Sequence, residues 1–100
     1  MPELCLTLLC PPQIAEALLD LLLTWPQNLL FTSTPMAAHG LTVDVLDQSE
    51  QVMGRARAIA ITVLLSDADK RMLLDTLHQQ FAGSGLRYWL TTVTEAGEIA

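Results

Sequence analysis

Residues 31–57 read FTSTPMAAHGLTVDVLDQSEQVMGRAR, and the placement of this polar stretch decides the fold. It lies between two segments with the composition of β-strands, where a two-residue turn would suffice to close a hairpin. Connections longer than about a dozen residues are uncommon in compact domains and usually carry function. The stretch therefore reads as a functional loop set between two neighbouring strands, and the rest of the chain as the scaffold that holds it.

Working outward, Leu29–Thr34 is apolar, aromatic and β-branched and predicts the strand that enters the loop, with Pro35 weakening its far end. On the return side, residues 58–65 read AIAITVLL and predict a strand with Ile59, Ile61, Val63 and Leu65 on one face and Ala58, Ala60 and Thr62 on the other. Upstream, Leu4–Leu9 is apolar apart from Thr7, as suits a strand covered on both faces. Pro11 and Pro12 punctuate it, and Ile14, Ala17, Leu18, Leu21 and Leu22 then recur at helical spacing as far as Pro26. Downstream, Ser66 or Asp67 caps a second helix whose inward face is Leu73, Leu74, Leu77 and Phe81. Gly83, Ser84 and Gly85 end it, and Leu86–Thr94 alternates as a fourth strand, with 95–100 adding a short edge.

The order β, α, β, long loop, β, α, β is the ferredoxin-like split βαβ arrangement, an α+β fold with an antiparallel sheet. Two helices cover one sheet face, and the other, apolar or small, calls for packing against further copies in a closed ring. The chain has 100 residues, 51% of them hydrophobic, enough for one core and hence a single domain over 1–100. A net charge of −6 with only five Lys and Arg argues against nucleic-acid binding, which rests on neutralising phosphates. No basic region precedes the apolar start, and Glu16 and Asp20 interrupt the apolar run at 14–23, so secretion and membrane insertion are not expected and a cytoplasmic location is. Cys5 and Cys10 leave opposite faces of one strand and are read as reduced thiols. No nucleophile elbow, phosphate-binding loop or dinucleotide fingerprint is present, so catalysis is not expected.

The stretches FTSTPMAAHG before the loop, SEQVMGRAR at its return and LRYWLTTVTEAGEI at the end resemble the PII-like signalling proteins. More narrowly, they resemble a PII-like family of unknown function associated with heavy-metal efflux operons. The resemblance implies a homotrimer with ligand clefts between subunits and a loop, here 35–57, that reports ligand state to a partner protein. An efflux system is one such partner. It also implies adenine nucleotide as a ligand, held at the turn between the second helix and the fourth strand. Here that turn is AGSGLRYW, with Arg87 its only cation, which suits a smaller anion than the basic turn of the ATP-binding pattern. The tyrosine modified in PII loops is absent, since Tyr88 is the only tyrosine and lies in a strand.

The candidate cleft residues are Arg55, Arg57, Gly83, Ser84, Gly85 and Arg87. Arg55 and Arg57 share a side of their strand and either clamp a carboxylate or phosphate or pair with Glu50, Glu95 or Glu98 across a subunit boundary. A second reading uses Met36, His39 and Met53 as soft ligands for Cu or Zn. Asp44, Asp47, Glu50 and Gln51 form the loop surface offered to a partner. A trimeric adaptor without a ligand is the third reading.

Overall fold

The computed structural model of the chain describes residues 4–40 and 55–100. The elements follow as β1 (Leu4–Cys10), α1 (Pro12–Leu23), β2 (Leu30–His39), β3 (Arg55–Leu65), α2 (Asp67–Phe81) and β4 (Arg87–Thr92). They build an antiparallel sheet in the order β2-β3-β1-β4, the ferredoxin-like α+β arrangement.

β1 lies inside the sheet and pairs along its length, Leu6 with Val63 and Leu8 with Ile61 on one side, Leu6 with Leu90 and Leu8 with Tyr88 on the other. Residues opposite one another in an antiparallel pair share a face. One face thus carries Leu6, Leu8 and Cys10 beside Ile61, Val63 and Leu65, all buried. The helices deliver Leu18 and Leu22 of α1 and Leu73 and Leu77 of α2 into the same cluster.

Each helix starts where its local chemistry requires. Pro12 is the first residue of α1, where a missing N–H costs nothing, and Thr24 closes it by donating its hydroxyl to the Asp20 carbonyl at 2.8 Å. At α2 the Ser66 Oγ accepts the Asp69 N–H at 3.2 Å. Asp67 and Asp69 sit in that first turn, where the helix dipole favours negative charge.

Several boundaries differ from the sequence reading. β2 runs through Pro35 to His39, because among the described residues β2 is an edge strand, and a residue without an N–H is tolerated where one side of the strand has no partner. β3 begins at Arg55, three residues before the apolar run, its polar start held by pairing with β2 through His39 and Arg55. Residues 35–39 and 55–57 are therefore strand rather than loop. In α1 Ala15 is buried and Ala17 exposed, so the stripe is rotated toward Ala15, Leu18 and Leu22. β4 is shorter than 86–94, and no strand forms in 95–100.

The face of β3 that alternation assigns to small residues also buries side chains. Ala56, Ala58 and Ala60 are buried there, with Ala38 opposite Ala56, outside the helix-packed cluster. Leu8→Ala removes a fully buried side chain at the centre of the fold, and we expect it to lower the urea-unfolding free energy by about 2–5 kcal/mol. Ser66→Ala, which removes a single cap, is expected to cost about 1 kcal/mol. Equal losses for the two would contradict the placement of the core.

Candidate functional site: a cleft where the central strand ends

β1 stops at Cys10, opposite Ile59 on one side, and its last pair with β4 is Leu9 with Arg87. The chain then leaves the sheet through Pro11 and enters α1 at Pro12. β3, however, continues back to Arg55, so the strand that separated β3 from β4 is missing at this end. The space left is a cavity of about 630 Å³. Leu9 and Cys10 form its inner end, Ala56, Arg57 and Ala58 one wall, and Gly83, Ser84, Gly85 and Arg87 the other. Pro11, Pro12, Gln13 and Ile14 line it from the start of α1. Alanine at 56 and 58 keeps the β3 wall low.

The α2–β4 turn owes its shape to its sequence. Gly83 (φ 77°) and Gly85 (φ 89°) adopt left-handed backbone that other residues enter only at a cost. Between them Ser84 closes the turn on itself. Its N–H and its hydroxyl both donate to the Phe81 carbonyl, at 3.1 and 2.6 Å, and its Oγ accepts the Leu86 N–H at 3.3 Å. Ser84 thus lines the cavity while its hydroxyl holds the turn. A Cβ added at Gly85 would lie 3.5 Å from Pro11 Cγ, so the turn rests against the proline ring.

Among the candidate residues, Arg57, Gly83, Ser84, Gly85 and Arg87 meet in this one cavity, and Arg55 does not line it. Arg55 is exposed, paired in register with His39 farther along β3, and makes no ion pair among the described residues. Arg57 has a partner within the chain. The proposed metal set is not assembled on β2, because Met36 and His39 are three positions apart and leave opposite faces of the strand. Among the described residues no group of three or more His, Cys, Asp and Glu is placed to hold a metal ion. Met53, Asp44, Asp47, Glu50 and Gln51 lie outside the described residues. His78 is exposed on α2, with its ring 6.4 Å from that of Tyr88 in an edge arrangement.

The sequence reading missed Leu9, Cys10, Gln13, Ile14 and Ala56 as cavity residues. The available signal was the Pro11–Pro12 pair, which marks where a central strand must leave its sheet. Cys10 is fully buried, and burial pushes its thiol from the ordinary 9.0 up to about 11. Its Sγ lies 3.2 Å from the Pro11 carbonyl, to which the thiol donates. It stands at the cavity end as a neutral thiol. Cys5, on the opposite face, is also free.

A family described as "Protein of unknown function (DUF3240)" matches residues 1–100, the whole chain. The chain belongs to the DUF3240 family. The crystal structure of a DUF3240 family protein from Shewanella baltica OS155 is similar to it, with a TM-score of 0.74 at 15% sequence identity. That likeness covers 100% of this chain and 99% of the other, and at this identity it shows a common fold. No curated protein matches this DUF3240 chain. Among the described residues no helix is long and apolar enough to cross a membrane.

The Cys10 thiol gives a pH test of the cavity end. The folded chain holds this proton more tightly than the unfolded chain does, so its contribution is complete below pH 9 and is lost as pH rises toward about 11. The loss should be on the order of 2 kcal/mol. Denaturant titrations across that window should show it in the natural sequence and not in Cys10→Val, which has no proton to lose.

Proposed function

We propose that this chain is a PII-like regulatory protein: a non-catalytic, cytoplasmic homotrimer that takes a small anionic ligand, such as an adenine nucleotide, into the cleft at the end of β1. Ligand occupancy is reported to a partner protein, such as a metal-efflux system, through the segment joining β2 and β3. The observation that carries this reading is the cavity itself. Two guanidinium groups, Arg57 and Arg87, and the Gly83–Gly85 turn line one space beside the start of a helix. Concave sites with a few convergent polar groups are the usual form of a ligand pocket.

The reporting role is supported by chain connectivity. Ala56, Arg57 and Ala58 of the cavity wall belong to β3, the strand that leads directly back to the segment 40–54 joining it to β2. A ligand that binds one arrangement of this wall better than another shifts the population of that arrangement.

The trimer is supported by the sheet face turned away from the helices. Register places Leu30, Met36 and Trp89 on it, and they are 67%, 43% and 49% exposed in the single chain. Large exposed apolar side chains gathered on one face mark an interaction surface. Direct binding of Cu or Zn has less support, since Met36 and His39 diverge.

Light scattering on the eluting protein should return three times the 10.9 kDa chain mass, and Trp89→Glu should shift it to lower mass. Equilibrium dialysis should then show adenine nucleotide retained by the trimer and released at least tenfold more readily by Arg87→Ala at unchanged mass. A monomer in the natural sequence would overturn the trimer, and with it any share of a neighbouring subunit in the ligand site.

A further inference from the structure

Resting on that reading of the cleft, we infer that its ligand carries a single phosphate-sized anionic group on a larger uncharged body, and that the site selects against polyphosphates.

The count of donors leads to this. The lining holds two cations, Arg57 and Arg87, and no lysine. Arg57 already has a partner within the chain, whereas Arg87 makes no ion pair among the described residues. The start of α1 adds little. Helix N-termini bind anions through consecutive free N–H groups, but Pro11 and Pro12 have none, and the Ile14 N–H is already donated to the Pro11 carbonyl at 3.2 Å. Gln13 is the first residue there whose backbone can donate outward.

The α2–β4 turn is equally sparing. Phosphate-cradling loops present a run of N–H groups to successive phosphates. Here the Ser84 N–H and hydroxyl turn inward to Phe81, and the Leu86 N–H is taken by Ser84 Oγ. What remains is one free guanidinium flanked by a few backbone donors, a set matched to one tetrahedral anion and able to bind it in bidentate fashion. A triphosphate would bring about four negative charges to this set, in a chain whose own net charge is −6.

The rest of the wall specifies the other end of the ligand. Leu9, Ile14, Ala56, Ala58 and the Pro11 and Pro12 rings are apolar, and the space of about 630 Å³ far exceeds a lone inorganic anion. Volume would admit a nucleoside triphosphate, so it is charge that discriminates.

Calorimetric titration of the purified full chain with AMP, ATP and inorganic phosphate at one ionic strength tests this. AMP should bind at least tenfold tighter than either ATP or phosphate, and Arg87→Gln should weaken AMP at least tenfold while leaving the thermal midpoint unchanged. ATP binding as tightly as AMP or tighter, with Arg87→Gln weakening it, overturns the charge selection and leaves the cleft as the binding site. Phosphate binding as tightly as AMP overturns the role of the apolar wall. No binding of any probe, or binding indifferent to Arg87, overturns the cleft reading together with the selection.

Discussion

The fold depends on the pairing of β1 with strands on both sides. β3 and β4 are antiparallel to it, and the same side chains, Leu6 and Leu8, face Val63 and Ile61 across one pair and Leu90 and Tyr88 across the other. Because side chains alternate, a slip of one residue in either pair would turn a whole apolar set away from the helices. Burial of Leu6, Leu8, Ile61 and Val63 under Leu18 and Leu73 fixes the register. The edges tolerate much more, including a proline in β2 and the polar start of β3.

The cleft is a direct product of that arrangement. A central strand shorter than one of its neighbours leaves a space where it ends, and β1 has 7 residues against 11 in β3. Pro11 and Pro12 make its end abrupt, and the left-handed backbone at Gly85 brings the facing turn against the Pro11 ring. Small residues at 56 and 58 prevent the wall from filling the space.

Much of this was legible in the sequence because it rests on period and punctuation. The alternation of 58–65, the heptad-like spacing in 14–22 and the Gly–Ser–Gly stop each report local structure, and the βαββαβ order follows from them. That the α2–β4 turn and Arg87 lie side by side at the cavity was legible for the same reason, since a glycine turn and a nearby cation are neighbours in the chain. What could not be read depends on neighbours distant in sequence. Pro35 is compatible with a strand only because β2 is at the edge, which is a property of strand order. Leu9, Ile14 and Ala56 meet only when β1 ends between β3 and β4. That the Ser84 hydroxyl is used by Phe81 and Leu86 shows only in the folded turn. Met36 and His39 illustrate the converse: proximity along a strand at odd spacing separates side chains rather than joining them.

β3 is anchored unequally along its length. From Ile61 to Leu65 its side chains belong to the helix-packed cluster, so exposing those amides to exchange with solvent requires the whole domain to open. From Arg55 to Ala58 it is outside that cluster, and Arg55 and Arg57 are exposed. Amide protection along this strand should therefore fall from its C-terminal to its N-terminal half, with Ile59 at the boundary. The cleft wall lies in the less protected half, where the backbone can rearrange without disturbing the core that keeps the protein folded.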